Sequence, residues 1–67
     1  MSNFTAVIFE EEGCYIAECP EVRTVSQGRT IEEALKNLKE ATELYLEEFP
    51  VMKRGNPIIT SFEIIPA

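Results

Sequence analysis

The stretch from Ser26 to Phe49 constrains the rest of the chain, because it carries both a helix start signal and a sustained helical repeat. Gly28 supplies turn chemistry, Thr30 is a natural N-cap, and Glu33 stands three residues on. Each of the last two side chains is therefore expected to bond the other's backbone N–H in a capping box. At about 100° per residue, Ile31, Ala34, Leu35, Leu38, Ala41, Thr42, Tyr45, Leu46 and Phe49 fall on one broad face. Glu32, Glu33, Lys36, Lys39, Glu40, Glu43 and Glu47 fall opposite. The spacing predicts one long amphipathic helix that ends near Glu48 or Phe49, because Pro50 cannot continue the ladder. Leu44 lies about 120° from the centre of the apolar stripe, among the acids. It is either an isolated surface leucine or a contact for another chain.

Upstream of the helix the period changes from 3.6 to 2. Phe4 to Phe9 alternates Phe4, Ala6 and Ile8 with Thr5, Val7 and Phe9, so both faces are apolar and an interior strand is expected. Glu10 to Gly13 makes a tight acidic turn in which Gly13 takes a positive φ. Cys14 to Glu18 follows as an antiparallel strand. Pro20 breaks it, since proline cannot donate to a ladder, and Val22 to Ser26 forms a shorter third strand. After the helix, Pro50 to Pro57 is a connection containing Lys53-Arg54-Gly55-Asn56, and Ile58 to Ile65 reads as a last strand. The expected class is α+β, in the order β-β-β-α-β, with one helix on a four-stranded mixed sheet whose last strand lies parallel to the first. The sheet face away from the helix would then expose Val7 and Phe9 or their neighbours. Residues 57 to 65 are able to pair between chains as well as within one, because an edge strand offers unpaired backbone groups.

Sixty-seven residues make one domain with a thin core, which favours self-association into a homo-oligomer. Six basic against twelve acidic residues give a formal net charge of −6, which argues against nucleic acid or an anionic membrane as a direct ligand of this chain and favours a basic partner. The first residues have no basic, apolar leader pattern, so a soluble cytoplasmic protein is expected. Cys14 and Cys19 on one strand would lie on opposite faces about 16 Å apart, too far for a disulfide. Two cysteines without histidine cannot close a tetrahedral zinc site, and no cofactor is expected, for there is neither a Walker loop nor a G-x-G-x-x-G run.

The absence of histidine excludes Ser-His and Cys-His nucleophiles within one chain. A metal-dependent nuclease would need converging carboxylates, yet Phe4 to Phe9 carries none, Glu18 and Glu63 stand alone, and the helix acids oppose the core face. A non-enzymatic protein is expected. Glu10, Glu11 and Glu12 in the first turn, with Glu47 and Glu48 at the helix end, are the candidate contacts for a basic partner, together with Leu44. Acids at a helix C-terminus oppose the macrodipole and do not serve the helix itself.

The run Tyr15-Ile-Ala-Glu-Cys-Pro20-Glu21, followed by Val25-Ser26-Gln27-Gly28-Arg29-Thr30-Ile31-Glu32-Glu33-Ala34, Asn37 and Glu40-Ala41, resembles the HicB-like antitoxin family over about Phe4 to Glu48. Arg29 departs from the acidic residue more often found there. The resemblance implies a partial ribonuclease H-like domain that lacks the nuclease's catalytic acids. It also implies an antitoxin that neutralises a small basic RNA-cleaving toxin of the HicA type by covering its active surface. Many relatives carry a C-terminal DNA-binding segment; residues 1–67 are expected to form a single domain without one. The competing expectations are an oligomeric domain of the same fold with no toxin partner, and a metal-dependent nuclease.

Overall fold

The computed structural model describes residues 3–50 and 55–66. Three strands, β1 (Val7–Glu11), β2 (Cys14–Cys19) and β3 (Thr24–Gly28), form an antiparallel meander in the spatial order β1-β2-β3, and one helix, α1 (Ile31–Glu48), packs on one face. The class is α+β, as the periodicities imply.

The β1–β2 connection is a two-residue turn. Glu12 at φ 49° and Gly13 at φ 81° both take the left-handed region, the pattern of a turn whose twist matches antiparallel strands. Each strand boundary lies up to three residues later than the alternation suggests, for one reason. Pro20 stops β2 at Cys19, so residues 4 to 6 have no facing strand. A five-residue turn then forms, closed by the Arg23 N–H donating to the Cys19 carbonyl at 2.7 Å, with Arg23 at φ 65°. Val22, expected in a strand, is buried inside this turn, and β3 starts only at Thr24.

The register places Ile8, Ala17 and Ser26 in one row and, next to it, Cys19 beside Thr24. These rows face the helix. The core consists of Ala17, Cys19 and Val22 from the sheet side with Ala34 and Leu38 from the helix. Thr42 completes the buried stripe of α1, and its hydroxyl lies 2.7 Å from that of Thr24, so each buried hydroxyl has a partner. Asn37 donates to the Gln27 carbonyl at 2.8 Å, tying the first half of the helix to β3.

Thr30 caps the helix and accepts from the Glu33 N–H at 3.0 Å. The return bond differs from the expected box: the Glu33 carboxylate accepts the N–H of Arg29, not Thr30, at 2.7 Å. The same two side chains thus close the helix entry one residue further out. Thr30→Ala is expected to cost about 1 kcal/mol, or a melting temperature lower by about 4–8 °C, checked by thermal unfolding followed by circular dichroism.

The helix covers β3 and β2 and leaves the β1 side of the inner face open. A groove of about 330 Å³ runs there, lined by Phe4, Ala6, Cys19, Leu35, Leu38 and Leu46 among others. Beyond the helix, residues 55–66 have no regular secondary structure, so the fourth strand expected over Ile58 to Ile65 is not formed and the sheet has three antiparallel strands instead of four mixed ones. Of the expected connection from Pro50 to Pro57, residues 51–54, with Lys53 and Arg54, lie outside the described residues. Residues 55–66 begin beside Pro20, with which Gly55, Asn56 and Pro57 form a shallow depression. Ile58, Ile59, Phe62, Ile64 and Ile65 then stand 65–91% exposed.

Candidate interaction surface

The face of the sheet opposite the helix carries a second apolar set. Phe9 pairs with Ile16 and Ile16 with Gln27; in the next row Val7 pairs with Glu18 and Glu18 with Val25. Phe9 is 45% and Val25 57% exposed; Ile16 is half-buried on the central strand, Val7 half-buried on β1 with Phe9, and the exposed Glu18 lies between Val7 and Val25. The described part of the chain provides no layer over this face. Branched and aromatic side chains stabilise their strands here by cross-strand contact, yet they leave apolar area in water. Glu11, on the same side of β1 as Phe9, and Glu12 in the adjoining turn give this patch an acidic border at the hairpin end.

The six residues singled out from the sequence are all exposed, but they do not converge. Glu10, Glu11 and Glu12 sit at the β1–β2 turn. That is the end of the sheet where Tyr15 pairs with Gly28 and where Gly28 meets the first turn of α1. The helix runs antiparallel to β3 and brings Thr42 to Thr24 at the other end, so Leu44, Glu47 and Glu48 lie across the molecule from the hairpin acids. Leu44 is 64% exposed, as its position off the core stripe implies.

One acid that the sequence does not distinguish from its neighbours proves to be structural. Glu21 is only 2% exposed. Its carboxylate accepts the Thr5 N–H with both oxygens, at 3.0 and 2.9 Å, and the Thr5 hydroxyl at 2.8 Å, and the Cys19 thiol donates to it at 3.3 Å. Burial pushes the Glu21 pKa up, but the Thr5 backbone and hydroxyl donors outweigh it and hold the carboxyl below the usual range. The Cys19 thiol is pushed the other way, first by burial and then by its bond to Glu21. Glu21 is thus a latch that takes the place of a β-ladder for the segment before β1. The signal for it is the Pro20-Glu21 pair itself: the proline ends a strand and places an acceptor opposite donors that have lost their partners. Cys14 is exposed and Cys19 buried; both are free thiols, as their spacing implies.

Among the described residues, no group of three or more His, Cys, Asp or Glu side chains is placed to hold a metal ion. No described helix is long and apolar enough to cross a membrane.

No family model matches the sequence, and no solved structure matches it. Curated proteins do. A UPF0150 protein of Helicobacter pylori strain J99 is 43% identical over 65 residues, covering 88% of this chain and 90% of that protein. Two UPF0150 proteins of Synechocystis are 48% identical over 40 residues and 47% identical over 47 residues. Those matches cover 58% and 67% of this chain, and 58% and 60% of the respective relatives. Similarity at this level along nearly the whole length of the Helicobacter protein shows the family: the chain belongs to the UPF0150 proteins.

Proposed function

We propose that this chain is a HicB-like antitoxin module that binds and neutralises a small basic RNA-cleaving protein of the HicA type. The observation that carries the proposal is the exposed Phe9–Ile16 patch with Glu11 and Glu12 at its border, on a chain of net charge −6. An apolar centre with a charged rim is the usual anatomy of a protein interface, and an acidic rim selects a basic partner and accelerates its approach. The residues behind the resemblance support the same reading through the fold: Pro20-Glu21 forms the latch, Gly28 the close helix contact, and Thr30 and Glu33 the cap. In the proposed complete fold, residues 57–65 add a fourth strand and the domain becomes partial ribonuclease H-like.

The interface reading has a direct test. Replacing Glu10, Glu11 and Glu12 together by Lys is expected to weaken binding of a HicA-type protein by at least about ten-fold at low salt, and raised salt is expected to weaken the wild-type complex. The same reversal at Glu47 and Glu48, at the far end of the sheet, is expected to have a smaller effect. Isothermal titration at two salt concentrations separates these outcomes. Affinity indifferent to the hairpin reversal and to salt would remove the acidic rim from the interface. The exposed segment after Pro57 favours a second reading, an oligomeric domain that binds only its own copies.

A further inference from the structure

We propose that residues 57–65 of one copy form a strand on the open edge of β1 in a second copy and fill its groove, so that two chains exchange their C-terminal segments reciprocally. Four observations support the exchange.

The first is the chemistry of the segment. Ile58, Ile59, Phe62, Ile64 and Ile65 are 65–91% exposed, in a run rich in residues that favour strands. An exposed apolar stretch of this kind marks an interaction site. The second is its alternation. Paired as a strand, the segment puts Ile58, Thr60, Phe62 and Ile64 on one face and Ile59, Ser61, Glu63 and Ile65 on the other. The more apolar face suits a groove and the face with Glu63 suits water.

The third observation is the receiving site. β1 is an edge of the sheet, with alternate backbone groups turned away from β2, and beside it runs the groove over Ala6, Leu35, Leu38 and Leu46 that α1 leaves uncovered. A strand added to this edge acquires main-chain bonds from β1 and a floor for its side chains from the groove. The fourth is the reach of the chain. Its radius of gyration is 13.7 Å, against the about 11 Å of a compact domain of this length, and its long dimension is 45 Å. None of residues 58–66 lines the chain's own groove, and the large apolar ones among them stand exposed.

Area supports a contact between copies, and closure favours a reciprocal exchange over a single docked tail. The five exposed apolar side chains of one tail amount to about 700 Å², taking each large side chain near the lower end of the aromatic range. One tail with the groove wall it covers, counted on both sides, comes to about 1,400 Å² and lies within the about 1,200–2,000 Å² of a stable interface, and a reciprocal exchange forms two such contacts. A two-fold exchange also closes the assembly, so no sticky segment remains.

The full chain tests this in sedimentation equilibrium and in isotope-filtered NMR of mixed labelled and unlabelled chains. The expected result is a dimer with contacts between Phe62 or Ile64 of one copy and Leu35 or Leu46 of the other. Phe62→Asp is expected to raise the dimer dissociation constant about 100-fold or more while the helical circular dichroism of α1 is retained. Glu63→Gln, on the opposite face of the tail, is expected to leave it within about two-fold. A monomer at about 100 μM, a tail whose contacts are all within its own chain, or a dimer indifferent to Phe62→Asp would each overturn the exchange. None of these outcomes depends on the presence of a toxin partner.

Discussion

Gly28→Ala is expected to lower the melting temperature by about 10–20 °C, or to leave the chain unfolded at room temperature. The reason is the approach of α1 to the end of β3. A methyl group at residue 28 would stand 2.6 Å from the Ala34 backbone nitrogen and 2.9 Å from the carbonyl carbon and Cβ of Glu33. The nearest atoms are helix backbone, which cannot rotate aside, so the first turn of the helix must lift from the sheet. Overpacking of this kind costs about 1–3 kcal/mol, and in a domain of this size each kcal/mol moves the melting temperature by about 4–8 °C. The damage would spread because the Thr30 cap and the Asn37 bond to the Gln27 carbonyl flank the same contact. Gly55→Ala is the control: nothing lies within 4 Å of its added methyl group, and a shift of less than about 3 °C is expected. Equal melting temperatures for Gly28→Ala and wild type, read by circular dichroism, would show that the close approach is not rigid.

Glu21→Gln is the second large effect, expected to cost about 2 kcal/mol at pH 7. The carboxylate holds one backbone N–H with both oxygens and also binds a hydroxyl and a thiol, and charge-assisted bonds of this kind are the strong ones. An amide would retain one acceptor oxygen and turn its N–H groups towards donors. The pH dependence follows from the direction of the Glu21 shift. A carboxyl whose pKa is lower in the folded than in the unfolded chain contributes stability that is fully present above the unfolded value of about 4.3, and loses it as pH falls through the folded value. Urea unfolding is therefore expected to show a wild-type advantage over Glu21→Gln that is constant from pH 7 to about pH 5 and narrows below about pH 4.3. An advantage that persists unchanged at acid pH would mean that the charge of Glu21 does not hold the latch.

Local signals in the sequence are legible to the residue. Thr30 and the repeat from Ile31 to Glu48 define the helix, because capping and amphipathicity depend on neighbours within one or two turns. The strands are legible in number and order up to the helix, but their ends depend on residues far apart in the chain. Pro20 ends β2, Glu21 reaches back 16 positions to Thr5, and together they displace both β1 and β3 from the bounds that alternation alone assigns. The breadth of the apolar stripe on α1 is also informative only in context. Ala34, Leu38 and Thr42 are buried, whereas Ile31, Leu35 and Phe49 remain 41–50% exposed because the sheet beneath has three strands. Leu35 and, about three turns further along the helix, Leu46 both line the open groove. That surplus is consistent with the fourth strand that the isoleucine-rich segment leads one to expect, while residues 55–66 of the isolated chain have no regular structure. The candidate acids were legible as exposed positions, but their arrangement was not. Only the topology shows that Glu10 to Glu12 and Glu47 to Glu48 lie at opposite ends, and only the strand register assembles Phe9, Ile16, Val7 and Val25 into one patch.

The most direct test of the proposed function is a titration of the chain into an RNA-cleavage reaction catalysed by a small basic HicA-type protein, with cleavage products followed on a gel. The expected result is a linear loss of cleavage that reaches completion at one chain per toxin, with Glu10, Glu11 and Glu12 reversed to Lys requiring a large excess. Undiminished cleavage at saturating concentrations of the folded chain would contradict the antitoxin reading.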